Sequence, residues 1–145
     1  MLDAAAQEEY NCAVETRILA RIPDNWGKYV SCQTGWYPLL DVLDSRLAGI
    51  NPDYCIFQVK QKFGRLVCYF DIPTPDPENL TDEEYSAQVK KEEEQLQLMQ
   101  GIVEEIVLAA DTTCEECGQP GELTRLAGWW ETLCETCFTT KFLQK

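Results

Sequence analysis

Four cysteines near the C-terminus carry the clearest chemistry in this chain. Cys114 and Cys117 form one CxxC pair and Cys134 and Cys137 a second, with sixteen residues between them. Thiolates bind metal strongly, and two pairs at this interval fold into tight knuckles that aim all four sulfurs at one ion. The spacing predicts a tetrahedral Zn2+ shell. A catalytic zinc keeps an open coordination position and usually takes His or carboxylate ligands. The chain has no His, so the expected role is structural. Gly118 follows the second ligand, where a knuckle needs the positive φ that glycine adopts freely. A lone CxxC would fit a redox pair or buried apolar thiols equally well; the doubled motif favours metal.

These ligands need a scaffold. Residues 114–145 are too few to bury a self-sufficient core, and a structural zinc contributes on the order of 10 kcal/mol of folding free energy. This module is therefore expected to unfold first on chelation. Its insert has room for a hairpin through 123–126 with Gly128 at the bend, and residues 138–144 suit a short helix beginning at the last ligand. Knuckle, hairpin, helix is the order of a treble clef or zinc-ribbon-like module. Trp129 and Trp130 either pack over the metal and the body or, if exposed, mark a binding surface.

Residues 1–113 read as an α+β body. An amphipathic helix over 3–21 starts at the cap Asp3, repeats Tyr10, Val14 and Ile18 on one face, and stops at Pro23. Residues 24–33, with Trp26 and Tyr29, read as an irregular cover over the core. Pro38 opens a second helix with Leu40, Leu43 and Leu47 on one face, and Gly49 is placed to end it as a left-handed cap. A small antiparallel sheet follows as a hairpin over 54–72, its strands at 54–61 and 66–72. The even register pairs Val59 with Cys68 and Phe57 with Phe70, gathering the apolar residues on one side. Cys12, Cys32, Cys55 and Cys68 read as core residues. Pro73 to Pro77 breaks the sheet. Thr81 and Glu84 then form a capping box at the start of a long acidic helix over 82–110. Its apolar stripe, Tyr85, Val89, Glu92, Leu96, Met99, Val103, Ile106 and Ala110, thickens toward the C-terminal end, so the acidic N-terminal half is expected to project.

The net charge is −13, and residues 76–113 carry eleven acids against two bases. No segment offers the basic footprint that phosphate backbones require. Without His there is no side chain ordinarily poised near pH 7 for proton transfer. The single glycine of Lys62-Phe-Gly-Arg65 serves a turn and cannot cradle phosphates. The reading is therefore not an enzyme. No signal peptide or membrane span is evident, and CxxC pairs bind metal most readily in a reducing compartment. The expected setting is cytoplasmic.

Gly35-Trp-Tyr-Pro-Leu-Leu, Gln58-Val-Lys-Gln-Lys-Phe-Gly-Arg-Leu-Val-Cys-Tyr69 and the two cysteine pairs together resemble a group of small uncharacterised bacterial and phage proteins. That group combines a GWxPL helix, a QVKxKFGxL hairpin and a C-terminal four-cysteine zinc knuckle pair. The resemblance implies a bacterial or phage-infected host cell and brings no activity with it. The ligand pattern is also similar to GATA-type DNA-binding fingers, but the cations those fingers set around the motif are missing; only Arg125, Lys141 and Lys145 stand there. The expected function is a zinc-stabilised protein-binding module that meets a basic surface through Glu92, Glu93 and Glu94, with Trp129 and Trp130 as further contacts. It would act as an inhibitor or accessory factor on a nucleic-acid-handling partner. The alternative is nucleic-acid binding through Lys60, Lys62 and Arg65.

Overall fold

The Asp3 carboxylate accepts the Ala6 N–H at 2.7 Å and starts helix α1, Ala4–Ala20, whose buried residues Val14 and Ile18 lie one turn apart. The structure, a computed structural model, describes residues 2–74 and 76–144. Pro75, within the proline break, lies outside the described residues, as do Met1 and Lys145. After α1 comes a two-residue strand β1, Val30–Ser31, then a 3-10 turn, Thr34–Trp36, leading into helix α2, Tyr37–Ile50. Pro38 sits in the first turn of α2, where its missing N–H costs nothing. Leu40, Leu43 and Leu47 are all fully buried, each contributing about 1.5–3 kcal/mol of apolar transfer. The left-handed cap expected at Gly49 is not formed. Gly49 lies inside α2, which ends at Asn51 in extended conformation, and its φ is not positive.

Strands β2, Cys55–Lys62, and β3, Arg65–Asp71, form the hairpin. Its two-residue turn has positive φ at both Phe63 (53°) and Gly64 (83°), the signature of a type I′ turn, whose twist matches that of the strands. Val59 faces Cys68 as expected, but Phe70 faces Ile56 and not Phe57, because the register shifts between Ile56 and Gln58. The extra residue turns Ile56 into the core and frees Phe57 to pack on Trp26, ring centroids 4.9 Å apart. β1 adds to β2 in parallel, giving the order β1-β2-β3. The 24–33 segment is thus partly strand, and it does not close over the core: Trp26 and Tyr29 are exposed.

Thr81 accepts the Glu84 N–H, and Glu84 accepts the Thr81 N–H, closing the capping box of helix α3, Asp82–Ala110. Met99, Ile102, Val103, Ile106 and Ala110 bury its C-terminal half against α2 and β3, while residues 82–87 are exposed. The inward stripe extends back to Glu92, which is only 9% exposed. Glu92 is therefore corrected from a projecting contact to a body-facing residue; Glu93 and Glu94 remain exposed.

One buried polar knot joins the elements. Tyr54 Oη and Arg21 Nε both donate to Asp44, and the Arg21 guanidinium lies 4.5 Å over the Tyr54 ring. Burial and the Asp44 carboxylate raise the pKa of the Tyr54 hydroxyl well above its ordinary value. Of the four cysteines expected in the core, only Cys68 is buried; Cys12 is exposed, and Cys32 and Cys55 are intermediate. Cys12 lies between the Tyr10 and Val14 positions of α1 and so turns away from the buried face. Among the described residues, no helix is long and apolar enough to cross a membrane.

Candidate metal centre

The first knuckle is built directly on the end of α3. Thr113 Oγ1 donates to the Ala109 carbonyl oxygen at 2.7 Å, and the Gly121 N–H donates to the Thr112 carbonyl oxygen at 3.0 Å. The loop closes through Cys114 N–H to Gln119 O, 2.7 Å, and Gly118 N–H to Cys114 O, 2.9 Å. Gly118 has φ +83°, as its position after the second ligand requires. Strands β4, Glu122–Leu126, and β5, Trp129–Leu133, carry the chain to the second knuckle. Helix α4, Glu135–Leu143, begins between the two ligands of that pair and so starts earlier than expected; Cys134 is its cap.

The fold places one ligand sulfur from each of Cys114, Cys117, Cys134 and Cys137 within 4.8 Å of the others, so the group can hold a metal ion. The Cys117 and Cys134 sulfurs are 3.6 Å apart, close to the edge of about 3.8 Å that a tetrahedron with metal–sulfur bonds of about 2.3 Å requires. The Cys137 N–H donates to the Cys134 sulfur at 3.4 Å. That bond, with the neighbouring thiols, pulls the Cys134 thiol down to about 7. Desolvation and the same crowding push Cys117 and Cys137 up. Four thiols that cannot all ionise side by side are the donor set that a divalent cation satisfies.

A second contact set ties this module to the body. The Gly35 N–H donates to the Glu115 carbonyl oxygen at 2.7 Å, and Trp36 Nε1 donates to the Thr113 carbonyl oxygen at 2.8 Å. A Cβ on Gly35 would stand under 3.0 Å from the Cys114 and Glu115 carbonyl oxygens, so only glycine permits this approach. Glu115 is 4% exposed; its Oε2 accepts the Gln33 N–H at 3.0 Å, while its Oε1 is buried with no partner among the described residues. Burial raises the pKa of Glu115 above the ordinary carboxylate value, and the Gln33 N–H offsets part of the shift.

The β4–β5 hairpin turns at Ala127 (φ 52°) and Gly128 (φ 85°), repeating the backbone of the β2–β3 turn. The two hairpins are locked together: Thr132 Oγ1 donates to the Gly64 carbonyl oxygen at 2.8 Å and Gln61 Nε2 to the Trp130 carbonyl oxygen at 2.8 Å. Their tips present Phe63 and Trp129, each 72% exposed, with Trp130 at 37%. The tandem tryptophans thus form surface and do not shield the sulfurs. Arg125 lies 5.3 Å from the Trp130 ring, and Lys62 flanks Phe63. Arg65 is bound at both Nε (3.0 Å) and Nη2 (2.9 Å) by Asp111, while Lys60 is half-buried on β2. Phe63 and Glu115 are not singled out by sequence; only the Phe-Gly turn dipeptide signals the first, and nothing in a CxxC motif signals the second.

Fold and site together define an α+β chain with a C-terminal four-cysteine module able to bind metal. Comparisons with protein-family models, curated proteins and solved structures find no match for it.

Proposed function

We propose that this chain is a zinc-stabilised, non-enzymatic binding module whose partner is a protein with a basic surface. The observation that carries the reading is the paired hairpin tip. Two I′ turns, held side by side by the Thr132 and Gln61 hydrogen bonds, keep Phe63 and Trp129 in solvent on a rigid base. Preordered aromatics lose little entropy on docking and are the side chains that most often anchor interfaces. Zinc suits the site because four thiolates favour it and leave no position open for substrate. The acid of α3, with Glu93 and Glu94 exposed, steers a basic partner toward the module and speeds encounter. The resemblance to bacterial and phage proteins supports an inhibitor or accessory factor acting on a nucleic-acid-handling enzyme, a class that carries basic surfaces.

A second reading rests on Lys62 and Arg125 beside the same aromatics, a combination on which single-stranded nucleic acid can stack. Arg65 contributes little to it, being engaged by Asp111, and the overall charge opposes it. The two readings separate in one affinity experiment using the zinc-loaded full chain as bait, with single-stranded oligonucleotide and basic proteins as prey at stepped salt. The first expects capture of a basic protein that is weakened by salt, weakened roughly 30-fold by Trp129→Ala, and weakened by joint Glu93→Lys and Glu94→Lys. Retention of oligonucleotide, lost on Lys62→Glu, with no protein captured, would replace it by the second.

A further inference from the structure

A cavity of about 550 Å³ lies between the edge of β1, the β4–β5 hairpin and the end of α4. Its wall includes Glu115, Glu131, Lys141, Gln33, Gln61 and Trp129. The charges in and beside it do not match. The Lys141 ammonium is held at 2.7 Å by Glu131 Oε1 and at 2.7 Å by Glu116 Oε1, so it is already shared between two carboxylates. The third carboxylate, Glu115, has Oε1 buried without a donor among the described residues. The Gln61 amide helps to lower the pKa of the Glu115 carboxyl, yet no N–H of it lies within hydrogen-bond distance of Oε1; its Nε2 donates to the Trp130 carbonyl oxygen at 2.8 Å. A buried carboxylate oxygen without a donor costs about 1–3 kcal/mol or more, and native folds rarely leave one so. Three carboxylates and one ammonium in and beside the cavity also leave the region net negative among the described residues, which favours a cation as occupant.

The shape of the wall narrows the choice of cation. Trp129 lines this cavity as well as the groove between the hairpin tips, so its indole forms the boundary between the proposed interface and the cavity. A planar guanidinium can lie against an indole and offer several N–H donors in a fixed fork. An ammonium, compact and strongly hydrated, uses such a wall less well. From these features we propose that the cavity is a receptor for an arginine side chain of the partner, its guanidinium lying against the Trp129 indole and donating to Glu115. This deepens the protein-binding reading and rests on it for the source of the arginine. The cavity would then select among basic surfaces, since long-range attraction alone does not tell one cationic protein from another.

The test uses the zinc-loaded full chain and two probes, Nα-acetyl-arginine amide and the corresponding citrulline amide, which has nearly the same shape but no charge. Chemical-shift titration should show the arginine probe moving the Trp129 indole N–H and the Gln33 amide, with a dissociation constant in the millimolar range. The citrulline probe should bind at least about 10-fold more weakly, as expected when a hydrogen bond to a charged group is replaced by a neutral one. Glu115→Gln keeps an acceptor for the Gln33 N–H and should lose about 10-fold for arginine while retaining zinc. Should that variant fail to fold, Trp129→Ala, on an exposed side chain, should weaken the same titration.

Equal binding of the two probes, shifts confined to other residues, or an unchanged affinity in Glu115→Gln would overturn the proposal, and a probe that moves nothing would mean that the Glu115 oxygen is served by water alone. The two readings fail separately. Capture of a basic protein that Glu115→Gln leaves unchanged removes the arginine receptor and keeps the module, whereas arginine binding through Glu115 with no protein captured does the reverse.

Discussion

Gly35→Ala is the sharpest test of how the metal module is joined to the body. The substitution adds one methyl group at a point where residues 33–36 meet residues 113–115, some eighty positions away in sequence. That Cβ would lie well below 3.0 Å from two backbone oxygens, where ordinary contacts begin at 3.4 Å, so one backbone must shift. Neither can move easily, because Trp36 is fully buried and Glu115 is pinned to both Gly35 and Thr132. Overpacking of this kind costs about 1–3 kcal/mol, and stretching the Gly35–Glu115 and Trp36–Thr113 hydrogen bonds adds about 1 kcal/mol each. The expected loss is about 3–5 kcal/mol, which for a chain of this size lowers Tm by roughly 10 °C. Gly49→Ala is the matched control. It lies in exposed helix with nothing within 4 Å of its Cβ, and should gain about 0.5–1 kcal/mol. Thermal melting of the zinc-loaded variants, with metal release followed by a chromogenic chelator, reads both. If Gly35→Ala melts and holds metal as the parent does, the joint between module and body is wrongly described.

Three further outcomes follow from the same geometry. Removing the metal should release amide protection in β4 and β5 while the buried turns of α2 stay protected, as hydrogen exchange can show; uniform loss would mean that the body depends on the ion as well. Asp44→Ala leaves Tyr54 Oη buried without an acceptor and Arg21 without its carboxylate, and should cost about 2–4 kcal/mol in urea unfolding. Burial alone raises the Cys68 thiol from 9.0 to about 12, so the folded state binds that proton more tightly than the unfolded chain does. The stability this gives is complete below pH 9 and is lost as pH rises toward 12, up to about 4 kcal/mol from a shift of about three units. Cys68→Val should flatten that alkaline limb; an unaltered slope would show the thiol to be more accessible than its packing implies.

The parts of the fold written in local chemistry can be read from sequence. The Thr81–Glu84 box, Pro38 in the first turn, Gly118 after its ligand and the doubled CxxC each specify their own geometry within a few residues. What escapes reading depends on distant partners. Nothing within residues 55–59 says that the strand carries an extra residue, because the bulge is set by what Ile56 and Phe57 meet, namely the Arg21 carbonyl and the Trp26 ring. The two residues of β1 are too few to show alternation and gain strand character only from β2. Gly49 meets the composition rule for a helix end, yet α2 runs on to Ile50 because that residue packs on the core. Glu92 belongs by periodicity to the apolar stripe and by charge to the projecting acids; the stripe prevails because helix phase is rigid. The sulfur cluster is legible, whereas the tip depends on one hairpin resting against another.

The capped helix α3 also acts as a ruler. Asp111, at its end, grips Arg65 at the foot of the paired tip, and Glu93 lies eighteen residues earlier, about 27 Å along the axis at 1.5 Å per residue. A standard interface covers about 800 Å² on each side, a disc roughly 30 Å across, so only a ligand of that breadth can span both ends. A short peptide must choose one, and its choice would test the proposed division between a steering end and a gripping end.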